Sequence, residues 1–216
     1  YDKAEHIMEC TDWLLYRLTG EINASISECG PRWFYDRPNG GYRRDFYEQC
    51  GIGEAIDKFP KDVLDLGVKI GNLSKKAAED LGIEPGLPVG EGGPDAFVGM
   101  LGLNVVAPGK IAMITGTSHL HLGLVEKEIH SEGMWGSYPD AVIPGLQLIE
   151  GGQTSTGAIV NWFKKNFADK NLQQISDETG KGIYTLLEEG ARELPIGSEG
   201  LLAFDFFQGN RTPYVD

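Results

Sequence analysis

Two short stretches of this chain hold residue types that could move a phosphoryl group. In Gly90-Glu91-Gly92-Gly93-Pro94-Asp95-Ala96-Phe97, a glycine-rich turn runs into a short helix and carries Asp95 at the junction. In Ile114-Thr115-Gly116-Thr117-Ser118, a tight turn joins two strand-like runs. A carboxylate in the first setting can take a proton from an alcohol. A turn with bare amides and hydroxyls can hold a phosphate. Together they suggest phosphoryl transfer to a hydroxyl. Each also has a plainer reading: Asp95 as a helix-capping residue, which is a common use of Asp, and Gly116-Thr117 as a simple hairpin turn.

A third stretch, Glu150-Gly151-Gly152-Gln153, leads into Thr154 and a helical run that includes Gly157, Asn161 and Trp162. Glycine there lets backbone approach a ligand, and Gln153 is polar beside it. Helix-start chemistry explains Thr154 without any ligand. Gly209-Asn210-Arg211-Thr212-Pro213 reads as a turn, with an arginine that could neutralise phosphate. His119 and His121 alternate along one strand-like run, yet no third ligand at metal spacing accompanies them. The four tryptophans fall to core or pocket lining.

These residues need elements to position them. The pattern predicts a helix over 5–18 stopped by Gly20, a loop-rich stretch over 21–41 and a short helix over 44–50. It then predicts a helix capped by Ser74 and ended by Gly82, with a turn at 85–88 leading into a strand at Val89. A helix should run from 95 to about 101. The runs 110–115 and 118–125 should pair around Gly116-Thr117. A strand at 147–150, helices at 154–167 and 183–194, and a buried strand at 201–207 complete the reading. Mixed strands and helices of this kind favour an α/β domain. The connection 103–108 is the best boundary. A cleft between two domains would then have Asp95 on one wall and the Gly116 turn on the other.

Composition narrows the classes. The chain has 216 residues, 41% of them hydrophobic, enough for a packed core. A net charge of −13 with 32 acidic residues argues against a nucleic-acid partner. Cys10, Cys29 and Cys50 form no CxxC pair and read as reduced thiols of a cytoplasmic protein. No run approaches the ~18 apolar residues of a membrane span.

The motifs Gly93-Pro94-Asp95-Ala96, Gly116-Thr117-Ser118, Glu150-Gly151-Gly152-Gln153 and Gly209-Asn210-Arg211-Thr212-Pro213, in that order, resemble those of the FGGY carbohydrate kinases, in particular the ribulokinase-like branch. The resemblance covers nearly the whole chain. It implies an actin-like ATPase (ribonuclease H-like) α/β fold with two domains, both incomplete here. Residues 1–104 would be the C-terminal part of the N-terminal domain, and 105–216 the N-terminal part of the C-terminal domain. It also implies ATP with Mg²⁺ as cofactors and a sugar substrate, a ketopentose such as ribulose or xylulose, and it allows a homodimer. Asp95 becomes the general base and a sugar contact. Gly116, Thr117 and Ser118 become phosphate-binding residues, Gly157 and Asn161 face the nucleotide, and Gln153 lies beside the sugar. No metal ligand is assigned. The family's Asp-x-Gly-Thr phosphate loop and its later adenine-binding segment are not found, so the chain reads as the middle of a longer enzyme. The acidic balance leaves glycine amides, helix N-termini and Mg²⁺ to attract an anionic nucleotide. A non-catalytic sugar-binding relative, a polyol kinase and an ATP hydrolase of the same superfold are the competing readings.

Overall fold

The computed structural model describes residues 1–204, 206, 207 and 209. They form two compact units: Tyr1–Ile114 with His121–Glu150, and Thr115–Leu120 with the chain from Gly151 on.

The first unit opens with α1 (Cys10–Thr19), which begins later than the sequence pattern suggests. Ile7 is drawn elsewhere: its N–H donates to the Lys58 carbonyl at 3.0 Å and its side chain packs on the Phe59 cluster. Gly20 ends α1 in the left-handed region, at φ 87°. After the two-residue strand β1 (Ala24–Ser25) comes α2 (Ile26–Trp33), in the stretch expected to be loop. Pro31 lies inside this helix and removes one backbone donor. Burial of Ile26 through Gly30 outweighs that loss. The short pair β2 (Tyr35–Asp36) and β3 (Gly41–Tyr42) is antiparallel, and α3 (Arg44–Gln49) follows as expected. Strand β4 (Val63–Leu64) pairs in parallel with β1.

Strand β5 (Lys69–Asn72) leads to α4 (Lys75–Leu81), where the Ser74 hydroxyl accepts from the Ala77 N–H at 3.2 Å and Gly82 terminates the helix at φ 69°. Strand β6 (Pro88–Gly90) returns antiparallel to β5 and delivers the chain to α5 (Asp95–Gly102). One core cluster joins Tyr47, Ala55, Ile56 and Phe59 to Ile7, Trp33 and Tyr42, with the Trp33 and Phe59 rings 4.4 Å apart. Each such large side chain stabilises by about 1.5–3 kcal/mol on burial.

Strands β7 (Ile111–Thr115), β8 (His119–Val125), β9 (Trp135–Pro139) and β10 (Gln147–Gln153) form one sheet in the order β7-β8-β10-β9. Leu122, Leu124 and Leu148 are buried in it. Strand β9 was not legible, since Gly136 and Pro139 weaken its strand signal.

The second unit holds α6 (Gly157–Phe167), α7 (Lys170–Thr179) and α8 (Ile183–Arg192). Helix α7 is an addition to the sequence reading. Its Asp169 side chain accepts from the Leu172 N–H at 2.8 Å and Gly180 ends it. Among the described residues of 201–207 the expected buried strand is not seen. Leu201, Leu202 and Phe204 are 80%, 85% and 78% exposed, and the described residues there show only an isolated bridge between Phe207 and Gly209. An apolar run becomes a strand only when a neighbour takes its backbone donors and acceptors. Residues 210–213 of the Gly-Asn-Arg-Thr-Pro motif lie outside the described residues.

Candidate active site

The turn that carries Asp95 is built on four neighbours within the first unit, Leu66, Gly67, Val68 and Ser27. Its backbone is fixed by the Glu91 N–H donating to the Val68 carbonyl at 2.8 Å and by the Gly67 N–H donating to the Glu91 carbonyl at 2.9 Å. Gly93 is needed for space. A Cβ there would stand 2.8 Å from Leu66 Cδ2 and 2.9 Å from Ser27 Cβ. Pro94 ends the turn in an extended conformation, and Asp95 is the first residue of α5. Its Oδ1 accepts from the Ala96 N–H at 2.7 Å. The side chain therefore supports the helix start, as the plainer reading expects. Asp95 is nonetheless exposed, with no ion pair among the described residues. A solvent-facing carboxylate with its second oxygen uncommitted can accept a proton from a hydroxyl.

Beneath this turn lies a buried polar layer that the sequence reading missed. Asp12 on α1 is 1% exposed, and its Oδ1 accepts from the Ser25 N–H at 2.9 Å. The Ser25 hydroxyl donates to the Gly92 carbonyl at 2.6 Å. Glu91 is 5% exposed; its Oε1 accepts from the Gly92 N–H at 3.0 Å, and its Oε2 has no partner. Burial pushes the Asp12 carboxyl up to about 6, against the lowering effect of the Ser25 and Glu9 N–H groups. Burial, then the nearby Asp12 charge, pushes Glu91 up to about 7. A signal for Asp12 was present: it sits three residues before buried Leu15, on the inward face of α1.

In the second unit the turn between β7 and β8 meets the start of α6. The Gly116 N–H donates to the Ser118 carbonyl at 3.0 Å, which closes the turn. The Thr117 carbonyl accepts from the Thr156 N–H at 2.9 Å and from the Thr156 hydroxyl at 3.3 Å. These bonds explain why α6 begins at Gly157 rather than at 154. Gly157 packs directly on the turn: a Cβ there would lie 2.5 Å from the Gly116 oxygen. The structure thus brings Gly116, Thr117, Ser118 and Gly157 together. Gly116 and Thr117 are exposed and Ser118 half-buried. Asn161, one turn further along α6, is exposed and its Oδ1 accepts from the Tyr184 hydroxyl at 3.5 Å. Gln153 ends β10 and is half-buried.

A cavity of about 510 Å³ in the first unit is lined by Phe34, Tyr35, Asp36, Phe46 and Tyr138, among others. Asp95 does not line it. Among the described residues no group of three or more His, Cys, Asp or Glu side chains could hold a metal ion, and no helix is long and apolar enough to cross a membrane.

Solved structures define the fold class. A xylulose kinase from Rhodospirillum rubrum superposes with a TM-score of 0.76 at 20% identity, over 95% of this chain and 40% of that one. A gluconate kinase from Lactobacillus acidophilus gives 0.77 at 17% identity, over 98% of this chain and 40% of that one. The fold is the actin-like ATPase α/β fold of sugar kinases. Residues 1–102 match the N-terminal domain, and residues 111–216 the C-terminal domain, of the FGGY family of carbohydrate kinases, and the chain belongs to that family. A ribulokinase from Shouchella clausii is 36% identical and one from Halalkalibacterium halodurans 34% identical, each over 100% of this chain. The chain spans 39% of the length of each.

Proposed function

We propose that this chain supplies the acceptor-side base and a phosphate-binding turn of an ATP-dependent sugar kinase that phosphorylates a ketopentose such as ribulose or xylulose. Residues 1–104 and 105–216 are parts of its N- and C-terminal domains. Asp95 takes the proton of the attacking hydroxyl. Gly116, Thr117 and Ser118 hold phosphate oxygens through backbone N–H and hydroxyl groups. Gly157 and Asn161 lie on the nucleotide side, and Gln153 beside the sugar. The protein is cytoplasmic in this reading.

The observation that carries the proposal is the setting of Asp95. Within a family of carbohydrate kinases, a motif turn shaped by Gly93 holds an exposed carboxylate with one oxygen on the Ala96 N–H and the other uncommitted. The residues around Gly116 fit a nucleotide phosphate, because Gly157 leaves the turn no side chain to displace it. ATP supplies the transferable phosphoryl group. Mg²⁺, if bound, would be held chiefly by the phosphates and would neutralise their charge, since no metal-holding cluster occurs among the described residues. The names of the similar proteins, ribulokinase and xylulose kinase, support a ketopentose.

The test is ATP turnover by the full-length protein with a panel of ketoses and polyols. Turnover stimulated most by ribulose or xylulose is expected. Strongest stimulation by glycerol or erythritol would replace the substrate assignment, and ATP consumption indifferent to every sugar would overturn the kinase reading.

A further inference from the structure

The buried layer under the Asp95 turn has a chemistry of its own. Two carboxyls, Asp12 and Glu91, come from separate elements and are almost fully withdrawn from water. Buried carboxyls are costly unless something is gained by holding them there. No cation is paired with either among the described residues. What they hold instead is backbone. Asp12 accepts from the Ser25 N–H, Ser25 passes the connection to the Gly92 carbonyl, and Glu91 accepts from the Gly92 N–H. Both polar groups flanking the Gly92 Cα are thereby tied to the layer, three residues before Asp95. The Gly93 site allows the turn little lateral freedom, with Ser27 and Leu66 against it.

We propose that Asp12, Ser25 and Glu91 are positioning residues for Asp95, acting as a buried hydrogen-bonded layer that fixes the Gly92–Pro94 turn and with it the start of α5. The inference rests on the reading of Asp95 as the base. Neutral Glu91 keeps the Gly92 N–H on Oε1 and avoids placing a charge on Oε2, which is buried with no hydrogen-bond partner among the described residues. Ionised, it becomes a second anion beside Asp12 with an oxygen that nothing satisfies. Among the described residues the titratable groups that interact with Asp12 are Glu9, Cys29, Tyr42 and Glu91, none of them cationic, while Arg37 acts on Cys29. The burial that raises both carboxyls leaves the pair short of its full double charge until the pH passes about 7.

The test compares isosteric and truncated variants in the full-length protein, assayed for sugar-dependent ATP turnover from pH 5.5 to 8.5, a window set about the two carboxyls at about 6 and about 7. Glu91→Gln keeps an acceptor for the Gly92 N–H and copies neutral Glu91; Asp12→Asn keeps the acceptor for Ser25. Glu91→Ala and Ser25→Ala remove the link. The truncations should lower kcat by about tenfold or more with KM for sugar little changed, as a small misplacement of a reacting group does. Glu91→Gln should match the parent at the acid end and diverge from it above the Glu91 titration near 7. Unchanged kcat in both truncations, or a change in KM alone, would overturn the positioning role. Should the truncations not fold, carboxyl carbon NMR of the intact protein decides: Asp12→Asn should move the Glu91 titration to lower pH, and an unmoved titration would show that the two carboxyls do not act together. Asp95→Asn serves as the control for the underlying reading. Its full activity would remove the base itself, whereas its inactivity alongside silent Glu91 and Ser25 truncations would remove only the layer.

Discussion

Gly157→Ala is the sharpest steric probe of the phosphate-turn assignment. Gly157 is the first residue of α6, at a backbone conformation any residue can adopt, so alanine should gain about 0.5–1 kcal/mol of helix propensity. Its Cβ, however, would stand 2.5 Å from the Gly116 oxygen. Carbon–oxygen contacts settle near 3.3 Å or beyond, so one side must retreat by roughly 0.8 Å. Overpacking of this kind costs about 1–3 kcal/mol, which exceeds the propensity gain. The Gly116 carbonyl cannot move alone, because the turn is closed by the Gly116 N–H on the Ser118 carbonyl and tied to Thr156 through the Thr117 carbonyl. The whole turn should tilt. A displacement approaching 1 Å at a phosphate-positioning element corresponds to about 10- to 100-fold in kcat/KM for ATP. Steady-state kinetics with ATP varied, beside thermal unfolding, measures both effects. Gly190→Ala in α8 is the control, since a Cβ there meets nothing within 4 Å. It should stabilise by about 0.5–1 kcal/mol and leave the kinetics alone. Gly157→Ala with parental ATP kinetics would refute the reasoning.

Further expectations follow from the same geometry. Thr117→Val keeps the branched shape and loses only the hydroxyl, so ATP binding should weaken by about 1–3 kcal/mol with sugar affinity intact; a rise confined to the sugar dissociation constant would contradict this. Gly93→Ala should destabilise the first unit by about 1–3 kcal/mol, because Leu66 can yield but Ser27 Cβ cannot; chemical denaturation reads the loss, and parental stability would count against the packing described. Stability should fall as pH rises from about 4.5 towards 7, because Glu91, raised to about 7 in the folded state, retains a proton that the unfolded chain releases first. Glu91→Gln should remove up to about 3 kcal/mol of that pH dependence in denaturant melts at pH 5 and pH 8, and an unaltered slope would mean that Glu91 ionises freely.

Local chemistry made several elements readable. Ser74 and Gly82 bracket α4 as cap and terminator, and the glycine-proline turn before Asp95 does start a helix. Where tertiary burial overrides local preference, the reading failed. Pro31 argued against a helix that exists because five successive residues at its start are buried. Conversely, the apolar run from Leu201 looked like a buried strand, but no partner strand pairs with its described residues. Asp95 and the Gly116 turn stood out in the sequence because their spacing carries a family pattern, and their roles are those proposed above. Asp12 carried only a positional signal, three residues before Leu15 on α1, and Glu91 none, since a carboxylate in an amphipathic helix or a turn is ordinarily solvated. Only three-dimensional packing shows that these two face inward. The contact between Gly157 and Gly116 is likewise a property of the fold, since the sequence reading began that helix at 154 and the structure begins it at Gly157.

The central claim is that Asp95 removes the proton from the attacking hydroxyl. Asp95→Asn in the full-length protein tests it most directly, because the amide keeps the acceptor for the Ala96 N–H and removes only the base. Turnover should fall by at least ~10²-fold while ATP and sugar dissociation constants, measured by calorimetry, stay near the parental values. Near-parental turnover by Asp95→Asn would contradict the account, leaving Asp95 as a helix-start residue and the reaction in need of another base.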